Sequence, residues 1–125
     1  HGMGYSYTIE CNIAHGLANA LLLAPLFLHN ARVAPDLVAR IADAMGADPS
    51  EPGLSVVESL YRLLEVLRVS PAARDHGVKE EQLAGFATEI VKDHYRFRNQ
   101  IGELSRADVL RFYRQSYIGE ARIHL

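Results

Sequence analysis

The 125-residue chain has room for one domain and, at 49% hydrophobic residues, the material for one sizeable core. Charged residues make up 22% and the net charge is −2, which excludes a disordered chain. Thirteen basic against fifteen acidic residues leave no surplus to neutralise phosphates, so a dedicated nucleic-acid binder is not expected. The single cysteine, Cys11, excludes an internal disulfide and any cysteine-built metal site, and it fits a reducing cytoplasm.

The chain opens His1-Gly2-Met3, which reads as a fragment, a processed product or a sequence with residues left ahead of Met3. From Gly16 to Leu28 the residues are apolar on nearly every face, which predicts a helix buried on all sides at the centre of a bundle. Pro25 removes one backbone donor and is expected to kink it. The longest apolar run, Leu17 to Leu28, has twelve residues, against about 20 needed to span a bilayer. The chain therefore reads as soluble, with no membrane partner.

Amphipathic helices follow. Ala34-Pro35 opens one, with Leu37, Val38, Ile41, Ala42 and Met45 on its apolar face and Gly46 as its stop. Residues 48–53 are a loop by composition. Val56, Val57, Leu60, Leu63, Leu64 and Leu67 give the cleanest helical stripe, ended by Ser70-Pro71. A connector over 71–78 is closed by Gly77. Leu83, Phe86, Ala87, Ile90 and Val91 form a further stripe behind the acidic Glu80-Glu81, which suit a helix N-terminus. After a polar stretch from Tyr95 to Gly102, Ser105 precedes Asp108 at capping-box spacing, and Val109, Leu110, Tyr113 and Tyr117 continue the helix. No segment alternates with a period of two. The expectation is one all-α domain over residues 1–125, a bundle of about five helices around a central buried one.

Three of the six histidines, His1, His15 and His29, stand fourteen residues apart. On one unbroken helix that spacing covers roughly 21 Å, whereas two nitrogens sharing a metal each sit about 2.1 Å from it. His1 and His15 can share an ion if the chain doubles back between them, and Cys11 to Ala14, with its weak helix formers, is the place for that turn. His29 sits at the far end of the following helix and cannot join. On spacing alone the alternative stands that His1 is a terminal residue and His15 a helix cap, since a lone histidine pair is not a strong ligand motif.

The segment His15-Gly16-Leu17-Ala18-Asn19-Ala20-Leu21-Leu22-Leu23-Ala24-Pro25, with His1-Gly2-Met3-Gly4 fourteen residues earlier, resembles a signature of the iron-containing (group III) alcohol dehydrogenases. Weaker likeness continues through Ala42 to Gly46, Leu67 to Pro71, Asp75 to Val78 and Leu104 to Asp108. The resemblance implies the C-terminal helical domain of a two-domain, dehydroquinate synthase-like enzyme. It implies a divalent metal, iron or else zinc, held by an Asp and three His, of which His1 and His15 match the last two. It also implies NAD or NADP bound by an N-terminal nucleotide-binding domain, a small alcohol or aldehyde substrate, and a homo-oligomer. The chain by itself would then be inactive. No Gly-x-Gly-x-x-Gly pattern follows a strand-like run here, in agreement.

Two departures stand out. Where the family often carries a further pocket histidine, this chain has Tyr5, a candidate pocket residue. Small residues usual between the two ligands are replaced by Tyr7, Thr8, Ile9 and Glu10. The implied chemistry is coherent: a metal polarises the substrate oxygen, and hydride passes between the alcohol carbon and the nicotinamide. Neutral imidazoles ligate, so metal binding weakens as pH drops through about 6.5. Cys11 reads as a small buried hydrophobe without an activating motif. His76, His94 and His124 read as surface or capping residues, and Arg96 and Arg98 beside Tyr95 and Phe97 as a solvated loop or an interface. The rival reading is a stand-alone helical interaction module without catalysis.

Overall fold

Among the described residues the chain forms six α-helices and no strand, and proline opens two of the helices while a left-handed glycine closes one. The structure is a computed structural model in which residues 1–121 are described. The helices are α1 (Gly4–Cys11), α2 (His15–Val33), α3 (Pro35–Ala44), α4 (Pro52–Val66), α5 (Leu83–Val91) and α6 (Arg106–Ile118). Short 3₁₀ turns cover Ala73–His76, Glu80–Gln82 and His94–Phe97.

Helix α1 is the element that periodicity did not announce, and it raises the expected five to six. Its eight residues bury Gly4 and Tyr7, too few for a stripe to show. It ends where the reversal was expected: Asn12 adopts the left-handed conformation at φ 54° and donates its backbone N–H to the Tyr7 carbonyl. Asparagine tolerates that conformation better than most residues. The chain then turns back into α2.

Helix α2 is central and packs against α1, α3, α4 and α6. It buries Ala18, Leu21, Leu22, Ala24, Pro25 and Leu28. Its burial is not the same all round, since Leu23 is 38% exposed and the first turn at His15 and Gly16 faces outward. Pro25 lies inside a helix that runs uninterrupted from His15 to Val33.

The two stripes that follow are only half used. On α3, Val38 and Ala42 are buried, while Leu37, Ile41 and Met45 are exposed. On α4, Val56 and Val57 are fully buried, but Leu63 and Leu67 are 54% and 60% exposed. An apolar stripe states which face a helix can bury; nothing among the described residues covers the last turns of α4.

Helices α5 and α6 close the main core as their sequences predict. Leu83, Phe86, Ala87 and Ile90 are buried on α5. The capping box of α6 forms, with the Asp108 N–H donating to Ser105 Oγ at 3.1 Å and the Ser105 N–H to Asp108 Oδ2 at 3.0 Å. Phe112 and Tyr113 of α6 join Tyr7, Leu21, Leu22 and Phe86 in one core.

Candidate functional site

The α1–α2 reversal brings the two histidines together. His1 precedes α1 and His15 is the first residue of α2, and their Nε2 atoms stand 2.8 Å apart. The ring centroids are 4.7 Å apart with the planes at 89°. Asn19, one turn into α2, places its Nδ2 3.3 Å from His15 Nε2. Tyr5 completes an aromatic triangle, its ring centroid 5.4 Å from each imidazole. His29 is elsewhere, as its place on α2 requires.

Three contacts hold this corner. Tyr113 of α6 donates its hydroxyl to the Met3 carbonyl at 2.8 Å and lies 3.1 Å from Ser6 Oγ. Tyr7 donates to Ser116 Oγ at 2.9 Å. The bulky residues that replace the small ones between the histidines thus turn Tyr7 into the core. Burial pushes the Tyr113 hydroxyl up to about 12 and moves Tyr7 upward as well, each partly opposed by its serine partner. Both remain protonated donors. The third contact is steric: a Cβ on Gly4 would collide with Asn19 Oδ1. Glycine at position 4 lets α1 approach α2 closely at Asn19.

A distant segment supplies the other wall. Gly2 packs against Arg96, where a Cβ would meet the arginine Cβ at 3.0 Å. Arg96 Nη1 reaches the Gly2 carbonyl at 3.5 Å, and its guanidinium carbon lies 5.0 Å from the Tyr5 ring centroid. A cleft of about 590 Å³ opens between this segment and the histidine corner, with His1 and Tyr5 on its rim. Sequence reasoning missed this wall, since 94 residues separate Gly2 from Arg96. The local signal was the small residue at position 2.

The remaining candidates sit apart. His29 Nδ1 lies 3.4 Å from Arg111 Nη2 and its ring stacks edge-on against Phe112. Its Nε2 is buried with no hydrogen-bond partner among the described residues. Burial depresses its pKa, Arg111 and Arg32 add to that, and Asp108 opposes. His76 caps its loop by a 2.8 Å contact from Nε2 to the Ser70 carbonyl. His94 is exposed at a 3₁₀ turn, and His124 lies outside the described residues. Cys11 is half-buried beside Gln82, and burial raises its thiol, which argues against a nucleophile.

The donor set fits part of a metal shell. Two imidazole nitrogens 2.8 Å apart can both reach an ion at about 2.1 Å each. No group of three His, Cys, Asp or Glu side chains that could hold a metal occurs among the described residues.

The fold and this histidine corner define a helical domain of the dehydrogenase type. The sequence model of the Fe-containing alcohol dehydrogenase family, C-terminal part, matches residues 1–117, and the chain belongs to that family. It is 33% identical over 104 residues to a choline dehydrogenase of Bacillus subtilis (strain 168), covering 79% of this chain and 26% of that protein. It is 27% identical over 123 residues to a 4-hydroxybutyrate dehydrogenase of Clostridium kluyveri, covering 94% and 32%. A crystal structure of a 1,3-propanediol oxidoreductase superposes with a TM-score of 0.83 at 26% identity, over 93% of this chain and 31% of that one. The chain spans about a third or less of the length of these relatives. No helix among the described residues is long and apolar enough to cross a membrane.

Proposed function

We propose that this chain is the metal-bearing helical half of a nicotinamide-dependent alcohol dehydrogenase, which interconverts a primary or secondary alcohol and its carbonyl compound. The observation that carries the reading is the convergence of His1 and His15 at 2.8 Å in a chain of this family. His1 and His15 would hold a divalent metal, iron or zinc, through Nε2. A metal bound there supplies Lewis-acid polarisation of the substrate oxygen. NAD or NADP, the hydride carrier, would sit on an N-terminal nucleotide-binding domain.

The chain's own residues have definable tasks. His1 and His15 must both be neutral with Nε2 unprotonated, so each carries its proton on Nδ1. Asn19 Nδ2 stands 3.3 Å from His15 Nε2, the nitrogen that would bind the ion, so its amide would yield that position to a metal. Tyr5 walls the cleft beside the pair and excludes water there, and Tyr113 fixes the His1–Gly4 turn through the Met3 carbonyl. The full protein is proposed to be a cytoplasmic homo-oligomer. Two relatives are named for different alcohols, choline and 4-hydroxybutyrate, so family membership leaves the substrate open.

The test is metal content and turnover of the full-length protein with His1→Ala and His15→Ala. Each substitution should remove most bound metal and abolish alcohol-dependent cofactor reduction while helicity persists. Retention of metal and rate by both variants would sink the reading. The 125-residue chain by itself should reduce no cofactor.

A further inference from the structure

The cleft beside the histidine pair has a mixed lining. It includes the apolar Met3, Leu26, Phe97 and Leu104 together with Arg96 and Arg98. One carboxylate, Asp93, shares that lining, but both of its oxygens are engaged. Oδ2 takes Arg96 Nε at 3.1 Å and Oδ1 takes the Tyr95 N–H at 3.2 Å. Arg96 is thereby neutralised and tied to Gly2 and Tyr5, so it shapes the wall.

Arg98 is different. Its guanidinium carbon lies 3.8 Å from the Tyr95 ring centroid, and Nη1 donates to the Tyr95 carbonyl at 3.1 Å. No carboxylate pairs with it among the described residues. Stacking on the tyrosine and the bond to the carbonyl hold the planar group in place with other N–H donors left over. A guanidinium so held matches a carboxylate in shape and charge. One uncommitted positive charge matches a monoanion better than a phosphate dianion.

We propose that the substrate is an alcohol or aldehyde bearing a carboxylate, bound with its reacting carbon at the histidine pair, its short methylene chain along the apolar side chains and its carboxylate on Arg98. This rests on the dehydrogenase reading above and adds the substrate class. Arg98 is the specificity residue of the cleft, and Arg96 positions the wall against which it works.

The test uses the full-length protein, with ω-hydroxy carboxylates of three to six carbons, the neutral diols of the same lengths, and the matching hydroxyalkylphosphonates. The acids should be preferred in kcat/KM. Arg98→Met should lower kcat/KM for the acids by about 10- to 100-fold, chiefly through KM, and leave the diols nearly unchanged. Arg98→Lys should recover part of the loss. Calorimetry with pentanoate, which has no hydroxyl to oxidise, gives a readout independent of turnover: binding should depend on Arg98.

Equal use of acids and diols by the unaltered protein would overturn the proposal while leaving the dehydrogenase reading intact. So would an equal loss on both substrate series in Arg98→Met, or a preference for the phosphonates. Arg98-dependent pentanoate binding without oxidation of any alcohol would uphold the anion site and sink the dehydrogenase reading. Failure to bind pentanoate would overturn the site whatever the turnover.

Discussion

The two halves of α2 are packed by different means. Its N-terminal half meets Tyr7, Phe86, Phe112 and Tyr113, and the two buried tyrosines reach across the fold to Ser116 and to the Met3 carbonyl. Its C-terminal half meets mainly aliphatic side chains, with Ala24, Leu28, Val38, Ala42, Val56, Val57 and Ala121 as the buried members, Phe27 and Tyr61 packed against them and His29 set against Phe112. The first kind of packing fixes positions, because a buried hydroxyl has to find its acceptor. The second fixes little beyond proximity, and the surrounding α3 and α4 leave half of their apolar stripes outside. The histidine pair sits on the half that fixes positions. A metal site needs that, since its nitrogens have to be placed to a fraction of an ångström.

The largest expected contrast comes from truncating the two cores. Phe112→Ala, which removes a six-carbon ring, should cost about 3–5 kcal/mol in denaturant unfolding, whereas Val57→Ala, which removes only two methyl groups, should cost about 2 kcal/mol. Equal losses would break the distinction between the halves.

Two glycines sharpen it. Gly4 allows α1 to meet α2 at Asn19, and Gly53 allows α4 to meet α2 at Ala31, where a Cβ would lie 2.6 Å from the alanine Cβ. Each Gly→Ala change should destabilise by about 1–3 kcal/mol through overpacking. Ala31→Gly should rescue Gly53→Ala in part, since a glycine inside α2 costs about 0.5–1 kcal/mol of its own. Asn19→Ala should restore the stability of Gly4→Ala without lowering its metal retention, because the colliding amide is gone and its contact was to the nitrogen that would bind the ion. Thermal unfolding and metal analysis of the four variants separate the outcomes. Tyr113→Phe belongs to the same range, about 1–3 kcal/mol, since the Met3 carbonyl loses its buried donor.

A smaller effect is expected from pH. His29 has a folded pKa below its ordinary value of 6.5, chiefly from burial. Below that ordinary value the unfolded chain binds a proton that the folded chain resists, so stability is full above it. Stability then falls as the pH drops from there toward the folded pKa. His29→Gln should flatten this part of the stability profile, and an unchanged slope would show that another group carries it. The smallest effects belong to the exposed ends of the stripes. Leu63→Ser and Leu67→Ser should change stability by no more than about 0.5 kcal/mol, although the same residues read in sequence as core.

Much of this could be read from the chain alone. Proline at the starts of α3 and α4, the Ser105–Asp108 box and the stripe on α5 are local features, and local sterics and hydrogen bonding decide them. The reversal near Asn12 was legible for the same reason, whereas the meeting of His1 and His15 was only permitted by spacing and was expected from the family resemblance. Which apolar residues stay exposed was not legible, because periodicity describes one helix and burial depends on what lies opposite. Tyr113 under Met3, and Arg96 against Gly2, join residues about a hundred positions apart. The sequence by itself determined five of the six helices, their order and the place of the reversal that lets His1 and His15 meet. The tertiary structure alone decided which wall faces that pair and that Arg98 stands on it without a carboxylate partner among the described residues, because the packing of α5 and α6 sets the course of the segment between them.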